Sequence, residues 1–430
     1  KKMKEDGVDS ATIRKTFNVP VRMKIFSWKG GDKHEMDTVM TPIDSIKYHK
    51  KLLQTSFVAM DPRSGEVKAW IGGIDFRWFK YDHVTASRQV GSTFKPLLYT
   101  LAVTDAGYTP ETYISGGPLT LGGKTISTGG GTCAYCLAKS INGCAWHLMG
   151  VVGVKRTIEF AQLCGIKVKI PPYPSIALGA AEIPMLQMLQ SYTMFPNKGY
   201  NTEPVFVTRI EDKNGNLLHE FPIAQSKQVI GEADNYTMVK MMEGVIKAGT
   251  ARRLNSYDIP VQKAGKTGTT NGNTDGWFIG YTPTLLAGTW VGCEDPFIPI
   301  YNSGGGAEMA APAWGNFMAK VYADKRFTEY TSQKEFTAPA ELKNDPVFAD
   351  ANFQSILSRG DSMTEETGNG DAGDFLEEDM NEMPVVTDTN KKTEPKKQEN
   401  KDEKKPSAGT LIDDKKNIPK PKPKPTETDY

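Results

Sequence analysis

The stretch Arg88-Gln89-Val90-Gly91-Ser92-Thr93-Phe94-Lys95-Pro96 decides how this chain is read. Ser92 and Lys95 stand three residues apart, directly before the apolar run Leu97, Leu98, Leu101 and Ala102. With Ser92 opening a helix, i and i+3 spacing puts hydroxyl and amine on one face. The Ser92 backbone N–H then lies among the unpaired donors of the helix start, where developing negative charge is stabilised. A serine attacks a carbonyl only with a base beside it. A lysine is that base only when burial or a second cation makes it neutral. Alone the tetrad carries little, because S-x-x-K arises about once or twice by chance at this length and average composition.

The chain has 430 residues, enough for two domains or for one large domain with appendages. A net charge of +1 gives no footprint of a nucleic-acid binder. No run of about twenty apolar residues is present, so no segment reads as a transmembrane helix. The chain begins at Lys1 and shows no signal peptide. The expectation is a fragment whose upstream part is missing, with any membrane anchor in that part. Of five cysteines, Cys133, Cys136 and Cys144 cluster as a zinc or redox site would, but only His147 is near enough to complete a ligand set. Buried, inert thiols are expected.

Residues 1–45 read as a connector: a charged helical piece, an alternating edge strand Val21-Arg22-Met23-Lys24-Ile25-Phe26, and a turn at Gly30-Gly31-Asp32-Lys33-His34. Ser56-Phe57-Val58-Ala59-Met60 and Glu66-Val67-Lys68-Ala69-Trp70-Ile71 flank Asp61-Pro62-Arg63-Ser64-Gly65, a hairpin pattern. Residues 108–132 are rich in Gly, Ser and Thr and read as loop. Helical periodicity returns at 134–149, 154–163, 182–195 and 235–247, where Met238, Met241, Met242 and Val245 form a core stripe. Three strands are expected at 262–270, 276–281 and 285–292, then a helix at 310–323. The fold class is α+β, an antiparallel sheet built from both ends of a domain spanning 46–330, flanked by helices and interrupted by a helical insert. Residues 331–430 turn acidic, then Lys- and Pro-rich, and are expected to be a disordered tail. A solvated linker is the plainer reading of that tail, an acidic partner or cell-envelope polymer the alternative.

Two further strings raise the weight of Ser92. Ser140-Ile141-Asn142 sits inside the 134–149 helical pattern, and Lys266-Thr267-Gly268-Thr269 lies on the first late strand. Each is common alone. In this order, with a Trp-Phe strand following, they are specific. The chain resembles the transpeptidase portion of the class A high-molecular-weight penicillin-binding proteins, whose signature is S-x-x-K, S-x-N and K-T-G. The resemblance extends to Leu178-Gly179 with Glu182-Ile183-Pro184, and to Asp275-Gly276-Trp277-Phe278-Ile279-Gly280-Tyr281-Thr282-Pro283. It covers about residues 17 to 323.

The resemblance implies the penicillin-binding transpeptidase fold and a set of roles. Ser92 would be the acylated nucleophile and Lys95 its general base. Lys266 would help keep Lys95 neutral. Ser140 would bridge the lysines and relay a proton to the leaving D-alanine, and Asn142 would bind Lys95 or the peptide carbonyl. Thr267 and Thr269, two apart on a strand, would hold the substrate carboxylate, with Gly268 leaving room for it. The N–H groups of Ser92 and Thr269 would form an oxyanion hole. The implied activity is serine D,D-transpeptidation of peptidoglycan stem peptides outside the cytoplasmic membrane, with β-lactams acylating the same serine. No metal or organic cofactor and no nucleic acid is implied. A membrane anchor and a glycosyltransferase domain would lie upstream.

Two departures accompany the match. Ser92 and Ser140 are only 48 residues apart, and residues 108–132 hold no counterpart of the family's Trp-x-Pro-x-Asn stretch. Alternatives on the same scaffold are a D,D-carboxypeptidase, a β-lactamase or a β-lactam sensor. A lactamase needs an activated deacylating water, and Glu182 is the most conspicuous acid in the middle region.

Overall fold

Two segments far apart in the chain supply one sheet. The computed structural model describes residues 2–221, 225–300 and 304–361. Strands β1 (Leu53–Met60) and β2 (Val67–Ile71) come from the early segment. Strands β3 (Ala264–Thr269), β4 (Asp275–Tyr281) and β5 (Leu286–Cys293) come from the late one. The order is β3-β4-β5-β1-β2, antiparallel throughout. The α+β arrangement expected from the sequence is therefore observed. The β1–β2 turn closes as its residues dictate: Asp61 Oδ1 accepts from the N–H groups of Arg63 and Ser64 at 2.8 and 3.1 Å.

Successive residues of a strand face opposite sides, and both sides of this sheet are covered. Val58 and Met60 join the larger apolar cluster with Trp277, Ile279 and Tyr281, whereas Phe57 and Ala59 join Phe278, Trp314 and Met318. Helices α1 (Lys95–Ala106), α2 (Cys133–Lys139), α3 (Asn142–Val152) and α4 (Glu232–Lys247) contribute to the larger cluster; α5 (Ala311–Ala323) builds the other. Helix α1 is buried on every side from Lys95 to Val103, and only its last turn reaches the surface. All described residues belong to one compact unit, and among them no helix is long and apolar enough to cross a membrane.

Several expectations change, among them that for residues 108–132, which read as loop but hold a hairpin of Leu119–Leu121 with Lys124–Ile126. The 134–149 pattern is two helices, α2 and α3, broken at Ser140, which adopts φ 61°. Ser140 N–H donates to Leu137 O at 3.2 Å and Ile141 N–H to Cys136 O at 3.0 Å, the bond pair that closes a helix C-terminus. The 182–195 pattern begins as a strand, Glu182–Pro184, and only Met185–Tyr192 is helical. The residue before a proline is pushed out of the α region, and Ile183 precedes Pro184. The edge strand at 21–26 is paired instead in its own hairpin with Glu35–Met40. Finally, the part of the tail up to residue 361 is folded. Helix Asp350–Ile356 buries Phe353, Ile356 and Leu357 in the main core. Their i, i+3, i+4 spacing is that of a one-sided helix. The acidic and Lys/Pro-rich stretches fall in residues 362–430, outside the described residues.

The cysteine reading is also corrected in part. Cys133, Cys164 and Cys293 are free and buried, but Cys136 and Cys144 form a disulfide. Their Cα atoms are 6.1 Å apart, within the range a disulfide spans. It links α2 to α3 across the Ser140 break.

Candidate active site

Ser92 lies in a 3-10 turn, Gly91–Phe94, that runs into α1 at Lys95. The α-helix thus starts three residues later than the sequence suggests, but residues three apart eclipse in a 3-10 turn, so Ser92 and Lys95 still share a side. The turn is held from every direction. Gly91 N–H donates to Gly179 O at 3.0 Å and Val90 N–H to Ala181 O at 3.2 Å. Strand Ser87–Gln89 pairs with Glu182–Pro184. Trp277 Nε1 donates to Gln89 O at 2.7 Å, and Tyr192 OH to Thr93 O at 2.5 Å. The strings around Gly179 and Glu182 therefore brace the serine turn. Glu182 itself is exposed.

Strand β3 passes directly against this turn. A Cβ on Gly268 would meet Val90 O at 2.7 Å and Thr93 Cγ2 at 2.9 Å, so only glycine permits the approach. Gly91 lies equally close to the Thr269 backbone. The N–H groups of Ser92 and Thr269 are thereby brought to neighbouring segments, one on each side of this contact.

Lys95 is fully buried and donates to Ser140 O at 2.7 Å and Asn142 Oδ1 at 2.7 Å, with Ser140 Oγ at 3.4 Å. Lys266, also fully buried, donates to Ser140 Oγ at 2.9 Å and Thr267 O at 3.1 Å. Ser140 Oγ thus stands between two amines, and the left-handed backbone at Ser140 puts it there. Non-glycine residues held in that region cluster at functional sites. Burial drives the Lys95 amine well below the ordinary lysine range, and the neighbouring Lys266 charge lowers it further. Burial alone brings Lys266 down to about 7. Among the described residues, the hydrogen-bond partners of these amines include no carboxylate.

Thr267 is buried and Thr269 exposed at the end of β3. Thr267 Oγ1 lies 2.6 Å from Thr250 Oγ1, and Thr269 Oγ1 accepts from Gly306 N–H at 3.1 Å. Neither partner stands in a motif that sequence reading could single out; Thr250 follows α4 in the loop after Lys247. The residues named from the sequence, Ser92, Lys95, Ser140, Asn142, Lys266, Thr267, Gly268 and Thr269, all fall in this one region. No cluster of His, Cys, Asp or Glu suited to a metal occurs among the described residues.

The chain is similar to known proteins in sequence and in fold. The penicillin binding protein transpeptidase domain family matches residues 173–292, and the penicillin-binding protein middle domain family matches residues 1–53. Of the site residues, only Lys266, Thr267, Gly268 and Thr269 fall within those spans. Penicillin-binding protein 1A of Aquifex aeolicus is 33% identical over 303 residues, covering 67% of this chain and 40% of that protein. Penicillin-binding protein 1A of Neisseria meningitidis serogroup B is 30% identical over 370 residues, covering 78% of this chain and 46% of that protein. This chain spans less than half the length of these curated relatives. The solved penicillin-binding protein 1A of Haemophilus influenzae shares the fold with a TM-score of 0.62 at 24% identity, over 67% of this chain and 49% of that one. PonA1 of Mycobacterium tuberculosis shares it at 0.59 and 22%, over 79% of this chain and 92% of that one.

Proposed function

We propose that this chain, which belongs to the transpeptidase family of class A penicillin-binding proteins, is a serine D,D-transpeptidase that cross-links peptidoglycan stem peptides through an acyl-enzyme on Ser92. The convergence of Lys95, Ser140, Asn142 and Lys266 from three separate segments carries this reading. A neutral amine has two N–H donors and one lone pair. The two 2.7 Å acceptors, Ser140 O and Asn142 Oδ1, use both donors of Lys95. Its lone pair is then left for the Ser92 proton.

In this mechanism the Ser92 hydroxyl oxygen attacks the carbonyl carbon of the penultimate D-alanine, and Lys95 takes the proton. The oxyanion is held by the N–H groups of Ser92 and Thr269, each worth about 3 to 4 kcal/mol in such sites. The C–N bond breaks, and the amine of the terminal D-alanine receives its proton through Ser140 from the lysine pair. An amine from a second stem then attacks the ester, loses its proton to the same relay, and frees Ser92. Thr267 and Thr269 hold the terminal carboxylate. β-Lactams would open on the same serine.

The substrate places the reaction on the outer face of the bacterial cytoplasmic membrane. A membrane anchor and a glycosyltransferase region before Lys1 remain part of the proposal. The test is incubation with a synthetic D-Ala-D-Ala stem peptide plus an acceptor amine. Released D-alanine accompanied by cross-linked peptide is expected. D-Alanine released with water as the only acceptor would make the chain a carboxypeptidase, and no release would refute the site.

A further inference from the structure

We propose that Thr250 is a positioning residue for substrate carboxylate binding, turning the Thr267 hydroxyl so that its proton faces the anion. The inference rests on the carboxylate role of Thr267 and Thr269 proposed above. Thr250 follows Ala248 and Gly249 in the loop after α4. That loop is fixed to the end of α2, the helix that leads into Ser140. Thr250 N–H donates to Ala138 O at 3.1 Å, and Lys139 Nζ donates to Ala248 O at 2.9 Å. A Cβ on Gly249 would lie 2.2 Å from Ala138 O, so the loop backbone rests directly on that helix end.

From this fixed loop, Thr250 Oγ1 reaches Thr267 Oγ1 at 2.6 Å. A hydroxyl has one proton and two acceptor lone pairs, and only one of the two protons can lie between these oxygens. When Thr267 donates to Thr250, its oxygen offers a carboxylate nothing but lone pairs. When Thr250 donates to Thr267, the Thr267 proton is free to point at the carboxylate. An anionic acceptor selects the second arrangement, and the chain of two hydroxyls strengthens its last bond. Thr269 is set up in the same way, because its oxygen already accepts from Gly306 N–H at 3.1 Å. Each threonine of the pair therefore has a donor behind it and a proton to give. The two form a carboxylate clamp made of two hydroxyls.

The experiment compares acylation by benzylpenicillin and by its uncharged methyl ester, followed as adduct mass, for the parent chain, Thr250→Val, Thr250→Ser and Thr267→Val. Thr250→Val keeps the shape and removes the donor. It should slow acylation by the free acid about tenfold or more, leave the ester within about twofold, and be rescued by Thr250→Ser. If Thr250→Val does not fold, Thr250→Cys, a weaker donor, should show the same selectivity. A Thr250 variant that slows both compounds equally, or neither, while Thr267→Val is selective, overturns the role of Thr250. A Thr267→Val variant that shows no selectivity overturns the carboxylate reading itself.

Discussion

Arg88 Nε donates to Asp275 Oδ1 at 2.7 Å in an ion pair whose side chains are 7% and 3% exposed. Arg88 precedes the serine turn and Asp275 opens β4, so this pair joins the Ser92 segment to the sheet. Every group in it is satisfied. Arg88 Nη2 donates to Cys293 O at 3.0 Å, and Asp275 Oδ1 also accepts from Trp290 Nε1 at 2.8 Å. Thr274 donates to Asp275 Oδ2 at 2.8 Å.

Removing one partner from such a pair strands the other charge in a dry site. Arg88→Ala should cost about 3 to 5 kcal/mol of unfolding free energy, read from denaturant unfolding. A loss below about 1 kcal/mol would show that the pair is solvated. Acylation of Ser92 should slow as well, because the turn loses its tether.

The lysine pair sets a pH dependence with a definite sign. Lys266 is held at about 7 when folded, against 10.5 unfolded. Above pH 10.5 both states are neutral and nothing is lost. As pH falls from 10.5 towards 7, the unfolded chain gains a proton that the folded chain refuses. Stability therefore drops at about 1.4 kcal/mol per pH unit, levelling off below about 7. Lys95, also lowered, acts in the same direction. Relative to Lys266→Met, the parent should gain stability between pH 7 and 9.5. Its acylation rate should rise with pH at a point well below the ordinary lysine range, an inflection that belongs to the coupled pair. A flat profile for both would contradict the burial argument.

The Cys136–Cys144 disulfide closes a short loop around Ser140 and Asn142. Loop closure of this size is worth about 2 to 3 kcal/mol. Cys136→Ala/Cys144→Ala should lose that much unfolding free energy and melt lower than the parent, and a reductant should shift the parent towards the variant. Equal melting temperatures would show that the bridge contributes no constraint.

The segment before residue 361 acts as a strap over α2. Thr132, the N-cap of that helix, donates from N to Arg359 O at 2.9 Å and from Oγ1 to Ile356 O at 2.8 Å. Leu357 packs onto α4 at Gly244, where a Cβ would meet its Cδ2 at 2.6 Å. Leu357→Ala should therefore cost about 2 to 5 kcal/mol. A change under 1 kcal/mol would mean the strap is not held in solution.

The sheet was legible because β-rich runs separated by Asp-Pro, Asn-Gly and Thr-Pro turns mark its strands. The candidate site residues stand in three short motifs that the sequence displays in order. Their geometry was not legible. The apolar periodicity from Ala134 to Met149 runs straight through Ser140, and nothing in it signals a left-handed residue or a bridge between Cys136 and Cys144. The strap was hidden because three apolar residues, Phe353, Ile356 and Leu357, sit in a polar stretch whose composition suggests no core. Thr250 carries no local signal at all; its meaning comes from a contact with Thr267 made by the fold.

A Ser92 nucleophile activated by a neutral Lys95 is proposed above, and its adduct is the signature to look for. The most direct measurement is the intact mass of the parent and of Ser92→Ala after incubation with benzylpenicillin, followed over hours. A single stable adduct on the parent, mapping to the Ser92 peptide and lacking in the variant, is the predicted result. An adduct of equal extent on Ser92→Ala, or none on either chain, would contradict it.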